Sequence, residues 1–330
     1  MKLEDLGWRD AIAHSFDRYV SKCALNSRAA ESYRVGRVAV ASRDQYHLYT
    51  ANGDISATLT GNFWHLAQTT ADFPVVGDWV VIRPQAVGMA VIVAVLPRTG
   101  CFSRKAAGAR TEAQIIAANI DTLFLVSGLD HDFNVRRIER YLVMAYESGA
   151  TPVIILNKAD LCDDLVEKQC AVDAIALGVP VIPLSALHNN NLEALSPYLQ
   201  PGKTIALLGS SGVGKSTLTN QLMGAAVQAT QPVRVDDSRG RHTTTHREML
   251  RLPSGTLLID TPGMRELQLW HSEGPKGNAR GNAGEDAVEG TFSDIEHSLL
   301  NAGFETARIS LSPTALFKLP WKPASLQPLG

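Results

Sequence analysis

The sequence has few cysteines, no long hydrophobic run and little net charge, and each absence excludes a class of protein. The four cysteines are Cys23, Cys101, Cys162 and Cys170, and no two of them form a C-x-x-C pair. Neither a zinc knuckle nor a disulfide framework is predicted, and ordinary reduced thiols are expected. No stretch approaches the roughly 18 apolar residues that a membrane-spanning helix needs, and MKLEDLGWRD has no signal-peptide core. The formal net charge of −2 means that any nucleic-acid-binding surface must be local. We expect a cytoplasmic protein with no membrane partner.

The pattern of apolar, polar and turn-forming residues changes along the 330-residue chain, and these changes predict several domains. Residues 1–33 have helical spacing and form a lead-in. Residues 34–97 contain five short strand-like segments separated by turn signals, which is typical of a small barrel. An OB-fold is the commonest five-stranded candidate, with an SH3-like or other small barrel as the alternative. A basic linker (98–118) follows, then an α/β domain (119–272), then a flexible insert and a short irregular or helical C-terminal segment (273–330).

The basic linker and the barrel carry residues that could contact RNA. The first part of the linker, RTGCFSRKAAGAR (98–110), has no acidic residue and four basic ones, Arg98, Arg104, Lys105 and Arg110. They are candidates for phosphate contacts, and a solvated loop is the alternative. Three barrel aromatics, Phe63, Trp64 and Trp79, could stack on bases, but Trp79 could equally fill the barrel core.

A phosphate-binding loop is the strongest local signal in the sequence. An apolar strand precedes a G-x-x-x-x-G-K-[ST] segment, and a helical pattern follows it. Glycines let backbone N–H groups turn toward a phosphate, and the helix N-terminus adds its dipole. The lysine reaches the β/γ oxygens, and the serine hydroxyl after it ligates Mg²⁺. The nucleotide-binding residues predicted here are Gly209, Ser210, Ser211, Gly212, Val213, Gly214, Lys215, Ser216 and Thr217.

A second phosphate-side motif, Asp260-Thr-Pro-Gly263, follows the apolar strand TLLI. The Asp260 carboxylate can hold Mg²⁺ through water, and the Gly263 amide can meet the γ-phosphate. D-x-x-G is a weak signal alone, but it is persuasive at the end of a buried strand downstream of a P-loop.

Two motifs earlier in the chain predict selectivity for guanine. In Asn157-Lys158-Ala-Asp160, the Asp160 carboxylate can accept hydrogen bonds from guanine N1–H and N2–H₂, which adenine does not offer. Asn157 can tie neighbouring loops together, and the Lys158 stem can lie along the base. A helix-entry turn with Asp160 as its cap is the alternative. One strand later, a Ser-Ala-Leu segment offers backbone N–H groups to guanine O6, from Ser185, Ala186 and Leu187.

The order of these motifs is rotated, because the base-reading loops precede the P-loop. A parallel sheet tolerates this arrangement, since its sites lie at the carboxyl ends of the strands whatever the chain order. The sequence therefore predicts a circularly permuted P-loop GTPase domain. An ATP-using kinase or transporter ATPase is disfavoured by the NKAD and SAL motifs.

At these residues the chain resembles the RsgA (YjeQ/YloQ) family of bacterial small-ribosomal-subunit assembly GTPases. The resemblance spans Gly36–Leu269 through FPVVGDWV, RKAAG, NKADL, GSSGVGKSTL, GRHTTTHRE and DTPGMRE. It implies an N-terminal OB-fold, a permuted GTPase domain, binding to the 30S particle and its 16S rRNA, and slow GTP hydrolysis that the subunit stimulates.

The C-terminal region departs from that family, which normally ends in a zinc-binding domain. No cysteine follows Cys170, and the only histidines beyond the DTPG motif are His271 and His297. Two histidines without a thiolate do not make a structural zinc site. We therefore expect no zinc.

The catalytic water lacks an obvious orienting residue, because Met264 stands where Ras-like enzymes carry a glutamine. The candidate catalytic residues are Lys215 of the P-loop and His242 in the GRHTTT segment. For His242 the alternative is a loop histidine that faces RNA or solvent. One of Thr243, Thr244 and Thr245 completes the Mg²⁺ shell in this interpretation, with the first two favoured. The expected enzyme is a monomeric, Mg²⁺-dependent GTPase. The alternative is a ribosome-associated GTP sensor with negligible turnover.

Overall fold

The computed structural model describes residues 2–24, 33–42, 45–85, 88–105, 113–225 and 248–260, and all of them belong to one compact unit. The side chains of residues 24, 104, 105 and 113 are not described. Within these ranges, no helix combines the length and the apolar character needed to cross a membrane.

The predicted barrel is present and is closed. Its strands run in the order β1-β2-β3-β5-β4, and an antiparallel β1–β4 pairing closes the ring. The strands are β1 (Arg34–Ala41), β2 (Tyr46–Thr50), β3 (Gly53–Leu59), β4 (Trp79–Pro84) and β5 (Met89–Val95). Side chains inside the ring are apolar and buried, including Val38, Leu48, Val80 and Ile92. The OB-like prediction is confirmed.

In the described part of the N-terminal region, two helices and two single-turn 3-10 helices accompany the barrel. A 3-10 turn at Glu4–Leu6 precedes α1 (Asp10–Ala24), and α2 (Gly61–Leu66) follows β3. The Thr60 side chain accepts from the Phe63 amide, which caps the start of α2. A second 3-10 turn covers Thr70–Asp72.

The segment predicted as a basic linker forms a two-stranded antiparallel sheet in its described part. Its strands are β6 (Cys101–Lys105) and β7 (Ala113–Ala118). Phe102 and Ile116 from these strands are buried in the main core. The hairpin therefore packs against the protein and is more than a tether.

The described residues of the α/β domain form six further strands in the spatial order β10-β9-β8-β11-β13-β12. All are parallel except β12, which runs antiparallel to β13. The strands are β8 (Thr122–Gly128), β9 (Thr151–Asn157), β10 (Val181–Pro183), β11 (Thr204–Leu208), β12 (Glu248–Arg251) and β13 (Leu257–Asp260). The helices are α3 (Val135–Ser148), α4 (Leu165–Asp173) and α5 (Lys215–Met223), with 3-10 turns at Ala159–Leu161 and Leu192–Tyr198. Continuous apolar runs form the strands because both faces of the sheet are covered.

The barrel and the α/β domain share one sheet, because β1 also pairs with β12. Tyr49 of β2 donates its hydroxyl to the Met249 carbonyl at 2.8 Å. Arg251 of β12 lies over the Tyr49 ring at 3.9 Å and bonds both Asp54 carboxylate oxygens at 2.6 and 2.7 Å. The barrel is therefore attached to the strand that leads into β13.

The lead-in, the barrel and the α/β domain also share one buried core and one buried cation. The Arg37 side chain donates to the Leu6, Gly77 and Asn119 carbonyls, which come from three different parts of the chain. Burial lowers the pKa of Arg37 to about 10, which still leaves it charged at neutral pH. Buried carbonyls need donors, so this side chain fixes the three segments together.

Candidate functional site

The carboxyl ends of β8, β9, β10, β11 and β13 meet at one edge of the parallel sheet. Chain order reverses between β8 and β11, since β9 and β10 extend to one side and β13 to the other. Open α/β sheets bind ligands at such a switch point. The predicted nucleotide loops all begin at this edge.

The P-loop, residues 209–214, joins β11 to α5, and its turn depends on glycines in the left-handed region. Gly212 and Gly214 have φ values of +80° and +98°, where side chains are strained. A Cβ on Gly214 would lie 2.2 Å from Asn157 Nδ2, so a larger residue would separate the P-loop from the base-reading loop. Ser211 lies at its exposed tip.

The Lys215 side chain is buried and points back into the P-loop. Its ammonium donates to the Gly209 carbonyl at 2.6 Å and to the Ser210 carbonyl. Ser216 and Thr217 follow in the first turn of α5, half-buried. The loop therefore gathers a cation, a hydroxyl and a helix N-terminus at one place, which is the chemistry of polyphosphate binding.

Asn157 joins three loops through its buried side-chain amide. Nδ2 donates to the P-loop Val213 carbonyl at 2.7 Å, and Oδ1 accepts from the Ala186 amide at 2.9 Å. The side chain thus fixes the distance between the phosphate side and the base side of the site.

The guanine-reading residues lie at the open end of this arrangement. The Oδ2 atom of Asp160 lies 3.5 Å from Nε2 of His188. In the Ser-Ala-Leu segment, the Ser185 amide donates to Asn190, and the Ala186 amide is held by Asn157. Leu187 is exposed, and within the described part of the chain its amide has no such partner.

Asp260 ends β13, next to the strand that enters the P-loop, and it is only 7% exposed. Together with the Ser216 hydroxyl it offers the hard oxygen ligands that Mg²⁺ prefers. The donor set therefore fits a magnesium ion. Within the described residues, no group of three or more His, Cys, Asp or Glu could hold a metal on its own.

Several predicted site residues lie outside the described residues. They are the phosphate-side Gly263, the catalytic candidate His242, the Mg²⁺ candidates Thr243 and Thr244, and the RNA candidate Arg110. The region from 261 to 330, including the expected zinc-free tail, is outside them too.

Arg98, another RNA candidate, is occupied inside the protein. Its guanidinium bonds both carboxylate oxygens of the fully buried Asp78 at 2.8 and 2.7 Å, and also the Ala71 and Phe73 carbonyls. Burial raises the pKa of Asp78 above its ordinary range even though Arg98 and the Val75 amide act in the opposite direction. Arg98 is therefore the counter-ion of a buried charge.

The other RNA candidates lie on β6 and in the barrel region. Arg104 and Lys105 lie on β6. Trp79 is buried against Trp8, with 4.8 Å between ring centroids, whereas Trp64 is 48% exposed and packs on Phe73. Trp79 is therefore buried, but in the main core with the lead-in and not among the side chains that fill the barrel, as the alternative had it.

Two carboxylates at the site belong to no nucleotide-binding motif, and they are not among the site residues predicted from the sequence. Asp130 and Asp132 lie in the loop after β8, where they contact Lys158 and Ser210. The signal available was the polar segment DHD directly after a buried strand, at the same edge as the P-loop.

Strand order, loop positions and the Asn157 bridge together define a P-loop GTPase domain with circularly permuted connectivity. The family model described as RsgA GTPase matches residues 95–270. The "Small ribosomal subunit biogenesis GTPase RsgA" of Opitutus terrae is 45% identical over 304 residues, covering 89% of this chain and 77% of the relative. The RsgA 2 protein of Lactiplantibacillus plantarum is 50% identical over 236 residues, covering 72% and 67%. The chain belongs to the RsgA GTPase family.

Solved structures agree with this assignment. The crystal structure of YjeQ from Thermotoga maritima matches with a TM-score of 0.56 and 28% identity, over 72% of this chain and 77% of that chain. The structure of YloQ, described as a circularly permuted GTPase, matches with a TM-score of 0.51 and 23% identity, over 72% and 73%. The second likeness concerns the fold alone.

Proposed function

We propose that this protein is a cytoplasmic, monomeric GTPase that acts on the small ribosomal subunit in its late assembly, with 16S rRNA as the contacted partner. The observation that carries the nucleotide part is the Asn157 amide, which joins the P-loop to the base-reading loops in one site. The names of the relatives support the ribosomal part.

Within this proposal the base is read by Asp160 and by an amide of the Ser-Ala-Leu segment. Asp160 accepts from guanine N1–H and N2–H₂. Because the Ser185 and Ala186 amides already have partners, Leu187 N–H is the favoured donor to guanine O6. An adenine base would place a donor against Leu187 and offer no N1–H, so ATP is discriminated against.

On the phosphate side, Lys215 and the P-loop amides bind the β- and γ-phosphates. Ser216 would hold Mg²⁺ directly and Asp260 would hold it through water, and Thr243 or Thr244 would complete its shell. Bound Mg²⁺ would neutralise the charge that develops on the phosphate oxygens. Gly263 meets the γ-phosphate, and His242 positions the attacking water.

Nucleotide-dependent association with 30S subunits tests the partner. We expect the protein to co-sediment with purified 30S subunits in the presence of a non-hydrolysable GTP analogue and to be released in GDP. Equal association in both nucleotides, or none, would contradict the proposal.

The basic residues of β6 are proposed to anchor the protein on rRNA. The double variant Arg104→Ala/Lys105→Ala removes two cations, so the slope of log K against log salt should fall by about 2. Arg136→Ala is the matched control, because Arg136 is an exposed arginine on α3 whose one ion pair among the described residues is with Glu139. A salt slope equal to that of the wild type would show that the anchoring lies elsewhere.

A further inference from the structure

The loop after β8, residues 129–134, lies at the switch point of the sheet and contacts both halves of the nucleotide site. Asp130 Oδ2 accepts from the Lys158 ammonium at 2.5 Å, and Asp132 accepts from the Ser210 hydroxyl. Asp132 is itself held by Arg137 at 2.7 and 2.9 Å. No nucleotide-binding motif of the sequence includes this loop.

The Asp130 carboxylate is held by hydrogen bonds from two residues of the protein. Its Oδ1 atom accepts from the Asp132 amide at 3.1 Å, which leaves Oδ2 for Lys158. Burial opposes its ionisation, but the Lys158 hydrogen bond and charge and the Asp132 amide outweigh burial, so the pKa of Asp130 lies below its ordinary value. At neutral pH the carboxylate is therefore charged and directed at Lys158.

The Lys158 side chain needs such an anchor because of where its backbone places it. Its φ of +65° is left-handed, and the residue begins the turn that carries Asp160. A lysine stem is flexible, and ordering it costs conformational entropy. The ion pair, with side chains 19% and 15% exposed, orders this stem across the gap between the β8 and β9 loops.

We propose that Asp130 is a positioning residue for guanine nucleotides, which holds the Lys158 stem where the purine ring packs against it. The inference rests on the guanine-nucleotide part of the proposed function. Asp130 meets neither the phosphates nor the hydrogen-bonding edge of the base in this account. Loss of Asp130 should therefore weaken the binding of GDP and of GTP by the same factor and leave the preference for guanine over adenine unchanged.

Three variants test whether Asp130 acts through Lys158. Asp130→Ala removes the anchor, and Lys158→Met keeps an apolar stem without the charge. Each should raise the Kd for fluorescent GDP and GTP analogues about tenfold, mainly through faster dissociation. The double variant should show the same tenfold loss, because the two residues form one unit. Asp130→Asn, which retains an acceptor, should show a smaller loss.

Glu139→Gln serves as the control, since it breaks the exposed Arg136–Glu139 pair on α3 and should change no Kd. A double variant with about a hundredfold loss would show independent effects and overturn the proposal. Wild-type affinity in Asp130→Ala, or a loss confined to GTP, would overturn it as well. Wild-type protein that bound no guanine nucleotide would instead contradict the proposed function, and this inference with it.

Discussion

Replacing Arg98 by alanine tests whether this residue is structural or binds RNA. The Asp78 carboxylate is 0% exposed. After the substitution, the hydrogen-bond donor that remains to it within the described residues is the Val75 amide, at 2.8 Å. Removing one partner of a buried ion pair costs about 3–5 kcal/mol. Arg98 also donates to the Ala71 and Phe73 carbonyls, so the loss should lie in the upper part of that range.

The effect should depend on pH in a defined direction. Burial raises the pKa of Asp78, and Arg98 is the main group that opposes the rise. Without Arg98 the folded-state pKa rises further above the unfolded value, so the protonated carboxyl is favoured in the folded state. The stability deficit of the variant is then smaller at low pH and grows as pH rises from the folded pKa of Asp78 in the wild type toward its higher folded pKa in the variant.

Urea unfolding followed by tryptophan fluorescence, at pH 5 and pH 7.5, measures this deficit. Asp78→Asn combined with Arg98→Ala should recover part of the loss, because no buried carboxylate is left without its counter-ion. The control Arg136→Ala removes one partner of an exposed pair and should cost about 1 kcal/mol or less. Wild-type stability in Arg98→Ala, together with weakened 30S binding, would refute the reasoning and restore Arg98 as an RNA contact.

Three other changes test the site and the tail. Asp160→Asn should weaken GTP by about 2–4 kcal/mol, because two charge-assisted bonds are lost, and xanthine nucleotides should gain; nucleotide competition measures both, and unchanged GTP-over-ATP preference would overturn the base-reading role. Asn157→Ala leaves the buried Val213 carbonyl and Ala186 amide without their partner and should weaken GDP by about 1–3 kcal/mol, measured by titration calorimetry. Elemental analysis after dialysis should find no stoichiometric zinc, and one zinc per chain would contradict the expectation from the cysteine-free tail.

The elements whose pattern is local could be predicted from the sequence. The five barrel strands are separated by turn signals within residues 34–97, and the strands of the parallel sheet read as apolar runs, so the presence of both sets could be predicted. The P-loop and the base-reading loops carry motifs with strand and helix on either side. Leu192–Tyr198 forms a 3-10 helix and not an α-helix, since Pro197 lies inside it and proline removes an α-helical hydrogen bond.

Features that depend on pairing between distant segments could not be read in this way. The β1–β12 pairing joins residues far apart in sequence, and no periodicity reports it. It also means that residues 1–97 are not a detachable module, so point substitutions are better tests than deletion. Arg98 and Asp130 could not be assigned from the sequence for a similar reason. A charged residue in a loop has the same sequence signature whether its side chain faces solvent or pairs with a buried group.

The rate of GTP hydrolysis with and without purified 30S subunits tests the central claim most directly. We expect slow phosphate release by the protein alone, acceleration by 30S subunits, and no release in either condition by Lys215→Ala, which lacks the charge in the phosphate cradle. Persistent binding of GTP with no hydrolysis on 30S subunits would instead identify a GTP sensor, and full turnover by Lys215→Ala would contradict the assigned site.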